Sequence, residues 1–547
     1  MRWFSSTVRI FLILSRMHTA YTLIIVLLTV AVIGSVARLV SIPYPILLTI
    51  GGTCLSVIPG FHAPPLDPDL ILFFFLPPLL YKEAFHTSWH DFLRWIRPIL
   101  MLSIGLVALT MFAVGASAMA LFPLMAWPVA LALGAIVSPT DTVAANSVIH
   151  RLRVPRRVSA IVGGESLVND ATGLVALQIT IGVIVSGHFA PANVAGAFLW
   201  TTLAGMGVGL AVGWIAHRVN RAIRDTTVLF TSSLIAPYAA FAGAHALHGS
   251  GVLAVVVAGF FVSWRIHVVS AETRHELYTV WRLVTYVIDA VCFVLIGIEV
   301  PRLIAAAPER SLGEWFFAGA FITAVVIAVR IVWMFAAAYG PLMLFRRLRE
   351  REGGLPTWRN VLLASWCGMR GAVSLAAALS VPAVVNSEPL AARNLLIFCT
   401  FCVICGTLLV QGLTLTPLIR LLGIRDDEHE AEEERLARIS LIQAALSRID
   451  DLRREQNIAA GTLDHVETNY MERLTALIQK AAAAAEPTRT ADVPTNVFDV
   501  ELRAIEAERE RLLDLRDSAR INDMTQSRLQ EELDVQEMRL RAEGGRG

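Results

Sequence analysis

Three carboxylic acids, with carboxamides among them, fall within about thirty residues of chain that is otherwise apolar enough to span a membrane. Asp141 lies in LALGAIVSPTDTVAANSVI, and Glu165, Asn169 and Asp170 lie in VSAIVGGESLVNDATGLVALQITIGVIV. A carboxylate in hydrocarbon costs at least a few kcal/mol, so ionisable groups inside a span usually line an ion or proton path. The pattern therefore predicts a transport site.

The SPTDT sequence at 138–142 predicts a break in the first of these segments. Pro139 removes a backbone donor and disfavours helix at Ser138. Free backbone groups at membrane depth are tolerated where they line a cavity, and broken helices of this kind mark the binding sites of many secondary transporters. Thr140 and Asp141 are thus expected at such a break.

The second segment places its polar side chains on adjoining faces of one helix. Glu165 and Asn169 are four residues apart, and Ser166 and Asp170 form the neighbouring pair. Carboxylate, amide and hydroxyl oxygens are hard donors suited to a small alkali cation. Because burial disfavours an ionised carboxyl that has no counter-charge, a proton and a cation can compete for Asp170. Such competition is sufficient for exchange.

Arg370 is a lone guanidinium in WCGMRGAVSLAAALSVP, flanked by Gly368 and Gly371. Its charge cannot be dropped by deprotonation at ordinary pH, so a guanidinium within a span needs a partner. We predict a structural ion pair between Arg370 and Glu165, which leaves Asp170 free to titrate.

Other ionisable residues in apolar segments are open to more than one interpretation. Asp289, in VTYVIDAVCFVLIGIEV, has either a gating or pH-sensing role or a structural hydrogen bond. Glu299 is expected at the membrane interface with Arg302 as its partner. Lys82 and Glu83 are expected to snorkel at the end of a span.

Membrane helices are predicted to carry these residues, since spanning ~30 Å of hydrocarbon takes ~20 apolar residues. The chain has 547 residues, 55% of them hydrophobic, and its mean hydropathy is +0.61. About thirteen candidate spans centre on 22–40, 43–58, 69–86, 98–121, 126–148, 158–186, 192–216, 226–247, 250–268, 280–300, 314–343, 359–384 and 391–421.

Basic residues occur in every second connecting loop, and this alternation predicts the topology. Loops at 82–97, 151–157, 218–224, 265–282 and 346–359 carry Lys or Arg, whereas those near 59–68, 122–125, 187–191 and 248–250 carry none. The basic loops and the C-terminus are expected in the cytoplasm. An odd number of spans then puts the N-terminus outside, although Arg2, Arg9 and Arg16 oppose that orientation.

The composition changes abruptly near residue 425, where DDEHEAEEE opens a charged region. We predict a transmembrane domain over 1–424 and a helical cytoplasmic domain over 425–547. Heptad-like apolar spacing in the second domain, as at Ile442, Leu446 and Ile449, is typical of amphipathic helices that need a partner surface. A self-associating helical tail and a regulatory domain both fit this pattern.

Several function classes are excluded or disfavoured by the sequence. A net charge of +1 disfavours nucleic-acid binding. The CxxCxxC run at 399–405 has no fourth Cys followed by Pro, so we interpret it as small apolar residues and expect no cofactor. Neither a metalloprotease, a nucleophile-elbow nor a nucleotide-loop motif is present, which disfavours a membrane enzyme. A channel would favour pore-lining rings or a repeated filter loop over one enclosed carboxylate cluster.

Four motifs carry a resemblance to a known family. The motifs are SPTD, GGESLVND, GMRGAVSLA and the earlier FFFLPPLLY at 73–81. With these motifs the chain resembles the monovalent cation:proton antiporters of the NhaP/NHE branch. The motifs occur in the order expected for that family, and the resemblance covers roughly residues 20–420. The resemblance implies an all-α polytopic fold of thirteen transmembrane helices, with two inverted six-helix repeats (spans 1–6 and 8–13) and broken crossing helices at Pro139 and around Gly371. It further implies a homodimer and elevator-like motion of a core domain (spans 4–6 and 11–13) against a dimer domain.

The same resemblance implies the site and the activity. Asp170 would bind Na⁺, with Thr140, Asp141, Glu165 and Ser166 around it, and Asn169 stands where electrogenic members have a second Asp. The implied function is secondary active exchange of Na⁺, or of Li⁺ or K⁺, for H⁺, electroneutral and one-for-one. A K⁺/H⁺ antiporter of the same fold is the alternative. The implied location is the bacterial inner membrane, with a role in pH homeostasis.

Overall fold

The structure is a computed structural model. It describes residues 21–22, 24–37, 44–59, 61, 68–87, 89–123, 125–141, 145, 154–187, 191–223, 225–265, 271–306, 312–352, 354–382, 384–385, 388–390, 392–424, 428–455, 460–479, 497–518 and 520–544. The N-terminal arginines that oppose the predicted topology lie outside these ranges.

About the first three quarters of the chain are built of apolar helices joined by short connections. They are α1 Ile24–Ala37, α2 Tyr44–Ser56, α3 Pro68–His86, α4 Trp89–Arg94, α5 Ile96–Leu121, α6 Trp127–Val137, α7 Arg156–Ser186, α8 Pro191–Ala222, α9 Thr226–Ala246, α10 Gly251–Trp264, α11 Ala271–Ala306, α12 Leu312–Leu344, α13 Arg346–Arg351, α14 Trp358–Trp366, α15 Ala372–Leu379 and α16 Arg393–Leu422. A pair of two-residue strands, β1 Val384–Val385 and β2 Glu388–Pro389, lies between α15 and α16 in antiparallel register.

Among the described residues, seven helices are long and apolar enough to cross a membrane, and four shorter apolar helices accompany them. The all-α membrane fold predicted from hydropathy is thereby confirmed, whereas the count of thirteen spans stays a prediction. Each of the thirteen predicted segments nevertheless contains helix within the described ranges.

Two predicted spans are interrupted, as the sequence indicates. The fifth span is helical through α6 and leaves the helix after Ser138. The twelfth consists of α14 and α15, separated by non-helical residues 367–371. Two other helices contain π-helical turns, Met101–Leu106 in α5 and Leu408–Gly412 in α16. Such turns are frequent near functional sites because they re-aim side chains within a helix.

The chain divides into two compact units. The membrane unit comprises Met1–Thr87, Trp95–Arg265 and Trp281–Arg425. Its core includes one cluster around Leu102, Val158 and Phe293 and another around Val129 and Leu133.

The tail unit comprises Asp426–Gly547 together with Ser88–Arg94 and Ile266–Val280. Its helices are α17 Glu428–Arg454, α18 Ala460–Gln479, α19 Val497–Asp517 and α20 Asp523–Gly544. The apolar faces predicted from the heptad-like spacing pack against one another: Ile442 and Ile449 of α17 share a core with Val466 and Tyr470 of α18. Within this unit Arg274 forms a buried bidentate ion pair with Asp534, at 2.8 and 2.6 Å.

Candidate functional site

The first interruption presents its residues to α7 through side-chain hydrogen bonds. Ser166 Oγ donates to the carbonyl oxygen of Thr140 at 2.9 Å, and Asn169 Nδ2 donates to Thr140 Oγ1 at 2.7 Å. Thr140 Oγ1 in turn lies 3.3 Å from Glu165 Oε1, to which it donates. These side chains satisfy the backbone and hydroxyl groups that the missing helical turn would otherwise leave without partners.

Glu165 is neutralised by Arg330 of α12. Arg330 Nη1 and Nη2 lie 2.5 and 2.9 Å from Glu165 Oε1 and Oε2, and both side chains are buried, at 0% and 1% exposure. The remaining donors of Arg330 reach the carbonyl oxygens of Ser365 and Ala364, at 3.0 and 3.2 Å. A buried bidentate pair whose other donors are also satisfied is the geometry in which a buried ion pair is best stabilised.

The predicted pair between Arg370 and Glu165 is wrong, because Arg330 occupies both oxygens of Glu165. Arg370, also fully buried, donates instead to carbonyl oxygens exposed by the two interruptions: its Nε lies 2.9 Å from the oxygen of Val137, and its Nη1 bonds the oxygen of Gly368. The carbonyl end of a helix carries partial negative charge, so the end of α6 is a suitable partner for a cation. Backbone carbonyl oxygens, and not only a carboxylate, can thus serve as partners for a buried guanidinium.

The two interruptions meet each other directly. The backbone N–H of Asp141 donates to the carbonyl oxygen of Met369 at 2.8 Å. Gly371 is required at this crossing, since a Cβ built there would overlap Asp141 Oδ2. The crossing of two broken helices, which the resemblance implied, is therefore present in the structure.

A cavity opens beside this crossing. Its lining residues come from α3, α7, α11, α15 and the two interruptions: Leu76, Leu79, Leu80, Lys82, Glu83, Pro139, Thr140, Asp141, Ser166, Asp170, Asp289, Phe293, Gly371, Ala372, Val373 and Ser374. The cavity volume is about 40 Å³. A water molecule needs roughly 10–15 Å³ by this measure, so there is room for roughly three waters or for a partly hydrated cation.

Asp170 is the carboxylate of α7 that faces this space. It is 5% exposed, and among the described residues it has neither a hydrogen-bond nor an ion-pair partner. An unpaired carboxylate at such a depth is stable when it is protonated or when a cation supplies the missing charge. The site can therefore hold either a proton or a small cation.

The residues predicted for the site thus separate into two groups. Thr140, Asp141, Ser166 and Asp170 line the cavity, while Glu165 and Asn169 lie behind them in the hydrogen-bond network.

Arg330 is the member of the site that sequence reasoning missed. Arg330 was not singled out, although it stands alone in AVVIAVRIVWMF and the argument applied to Arg370 applies equally to it. Lys82 and Glu83, which are predicted to snorkel at the end of a span, line the cavity. The pair of Glu299 with Arg302 is confirmed, at 2.9 Å.

Comparison with known proteins places these features in context. A family model described as "Sodium/hydrogen exchanger, transmembrane" matches residues 24–421. The chain is 35% identical over 526 residues to an uncharacterized Na⁺/H⁺ exchanger of Mycobacterium tuberculosis, covering 94% of this chain and 95% of that relative. It is 27% identical over 533 residues to a sodium, potassium, lithium and rubidium/H⁺ antiporter of Bacillus subtilis, covering 93% and 77%. The solved structure of a sodium proton antiporter from Methanocaldococcus jannaschii shares the fold, with a TM-score of 0.57 at 19% identity, and the match covers 75% of this chain and 99% of that one.

Proposed function

The chain belongs to the sodium/hydrogen exchanger family, a family of secondary transporters rather than enzymes, and from this premise we propose that it exchanges a monovalent cation for protons, with Asp170 as the carboxylate that binds either one. The observation that carries the proposal is the contrast within α7. Glu165 is neutralised by Arg330, whereas Asp170 lines the cavity without a partner among the described residues.

Each group of the site has a distinct part in this exchange. Asp170 supplies the charge, and the oxygens of Thr140, Asp141 and Ser166 around the cavity supply further ligands for a dehydrated cation. Glu165 and Asn169 position the Thr140 hydroxyl. Alternating access follows if the crossing, held by the bond between Asp141 and Met369, moves as one body relative to α3 and α11.

Sodium is the cation we propose, with Li⁺ or K⁺ as alternatives. Carboxylate, hydroxyl and carbonyl oxygens bind all three ions, because all three are hard cations. The Bacillus subtilis relative is named for sodium, potassium, lithium and rubidium. A K⁺/H⁺ exchanger of the same fold is therefore the second candidate, and the same transport assay separates the two.

We propose an electroneutral, one-for-one stoichiometry. Asn169 stands next to Asp170 and is engaged as a donor to Thr140 Oγ1, so this position of α7 offers one titrating carboxylate in place of two. We further propose a homodimer in the bacterial inner membrane, with residues 425–547 as a cytoplasmic domain.

The experiment is exchange in proteoliposomes of the purified full-length protein. An imposed proton gradient, followed by a pH-sensitive dye, should dissipate on addition of Na⁺ in the wild type and should persist in Asp170→Asn. Glu299→Gln is the matched control, since Glu299 is also a partly buried carboxylate but pairs with Arg302 outside the cavity. Cation-driven exchange by folded Asp170→Asn would refute the role of Asp170.

Stoichiometry is tested in the same vesicles by clamping the membrane potential with K⁺ and valinomycin, once K⁺ is shown not to be transported. One charge moving in each direction predicts a rate independent of voltage. A wild-type rate that changes steeply with the clamped potential would rule out the one-for-one exchange while leaving the Asp170 proposal intact.

A further inference from the structure

Asp289 is the buried carboxylate that the exchange proposed above does not use. It lies in the middle of α11 and is 4% exposed. No hydrogen bond or ion pair joins it to any described residue, so the structural hydrogen bond that the sequence left open has no partner in this part of the chain. A buried polar group without a partner is costly, and one that persists calls for a ligand.

The side chain of Asp289 faces the same cavity as Asp170. Both residues line it, and Phe293, one helical turn after Asp289, lines it as well. The cavity thus has one carboxylate from α7 and another from α11, two helices far apart in the sequence.

The charge around this space favours a cation. Four carboxylic acids line the cavity, Glu83, Asp141, Asp170 and Asp289, and Lys82 is the one cationic side chain among its described lining residues. Acidic groups in a cleft with low-dielectric walls focus the field and raise the local concentration of cations.

Taking the proposed exchange as its basis, we propose that Asp289 is a second cation-contacting carboxylate. Asp289 coordinates the cation through a carboxylate oxygen as the ion enters and leaves the cavity, whereas Asp170 binds the ion or the proton throughout the cycle. Asp289 therefore sets the apparent affinity for the cation. It is a specificity-determining residue, distinct from the carboxylate that alternates between the two substrates.

The test is the Na⁺ dependence of exchange in proteoliposomes. Asp289→Asn should raise the KM for Na⁺ by about tenfold and lower the maximal rate by less than about threefold, since one of the carboxylates that attract the cation is lost while Asp170 remains. Asp289→Glu should bring the KM back to within about threefold of the wild type. Glu299→Gln, which neutralises a carboxylate on the same helix outside the cavity, should leave the KM unchanged.

Binding is measured independently of transport by thermal stabilisation of the detergent-purified protein in increasing NaCl, with N-methylglucamine chloride holding the ionic strength constant. A cation that binds the folded state raises the melting temperature according to its occupancy. The NaCl concentration for half-maximal stabilisation should rise by about the same tenfold in Asp289→Asn. Asp289→Ser provides a second neutral variant, for which the same shift is expected.

The outcomes separate this inference from the exchange proposal. An unchanged KM and an unchanged stabilisation midpoint would overturn the role of Asp289 while leaving exchange through Asp170 standing. Abolished transport with an unchanged midpoint would also overturn it, because Asp289 would then act on translocation rather than on the cation. If the wild type transported no cation, the proposed function would fail, and the stabilisation midpoint would still decide whether Asp289 contacts Na⁺.

Discussion

Glu165 and Asp170 belong to the same helix and are five residues apart, yet their surroundings are opposite. Glu165 is completely buried and receives two guanidinium hydrogen bonds from Arg330. Asp170 is almost as deeply buried, borders the cavity and has no partner among the described residues. The position of one arginine on another helix therefore makes one carboxylate structural and leaves its neighbour available to an ion.

Removing Arg330 should have the largest effect on stability. Arg330→Met leaves Glu165 as an uncompensated buried charge, which typically costs about 3–5 kcal/mol. In a double-mutant cycle with Glu165→Gln, the double variant should lose less than the sum of the two single variants. Unfolding of the detergent-purified protein measures each free energy.

Arg370→Met is the matched comparison for that cycle. Arg370 bonds carbonyl oxygens and makes no hydrogen bond to Glu165, so its coupling to Glu165→Gln should be clearly smaller. A larger coupling for Arg370 than for Arg330 would contradict the pairing described above.

Gly371→Ala should have the next largest effect on stability, because Gly371 lies where the two interruptions cross beside the cavity. The added methyl would meet Asp141 Oδ2, and overpacking of this kind typically costs about 1–3 kcal/mol. Gly182→Ala is the control: Gly182 lies within α7, and no atom of the described residues lies within 4 Å of a Cβ built there, so a neutral or slightly stabilising result is expected. Equal destabilisation by both variants would show that the crossing imposes no special constraint.

Asp170→Asn should change the free energy of unfolding little. Any change should be an increase, whereas Glu165→Gln should lower the free energy of unfolding. The substitution removes a buried carboxyl that has no protein partner, so we expect no loss and a gain of up to about 1 kcal/mol in the absence of a cation. Melting in N-methylglucamine buffer, without Na⁺ or K⁺, measures it. A loss as large as that of Arg330→Met would mean that Asp170 has a structural partner after all.

The smallest effect is expected in the tail unit, where Glu508 offers a third environment for a carboxyl. Burial raises the pKa of Glu508 above its ordinary 4.5, with Arg473 and the hydroxyl of Tyr470 opposing the shift. The folded state then holds this proton more tightly than the unfolded state, so tail stability should fall as pH rises from 4.5 through the raised pKa. Hydrogen exchange of residues 497–517 in the full chain should show this slope, and Glu508→Gln should flatten it. A slope unchanged in Glu508→Gln would assign it to another group.

Local chemistry made much of this site predictable from sequence. Pro139 prohibits regular helix hydrogen bonding at its position, and the four-residue spacing of Glu165 and Asn169 determines that they share a face. The interruption, the cavity position of Asp170 and the polar cluster around Thr140 follow from such rules, and all three occur in the structure.

The partners of the buried charges could not be predicted in the same way. Arg330 and Arg370 each stand alone in an apolar segment, and which one reaches Glu165 depends on how α12 packs against α7, a long-range property that spacing does not encode. Arg370 donates from Nε and Nη1 to the carbonyl oxygens of Val137 and Gly368, a kind of partner that is available only when both helices are broken.

Arginine supplies almost all of the positive charge of this chain, which contains two lysines, Lys82 and Lys480. Lys82 borders the cavity, so a Lys480→Arg variant would have a single side-chain amine, and that amine would lie beside the proposed ion path. Reductive methylation with ¹³C-formaldehyde would then place one isotopic label there, distinguishable by NMR from the labelled N-terminus. The shift of that resonance on adding Na⁺, Li⁺ or K⁺ would report which ions enter, without a fluorophore or an engineered cysteine.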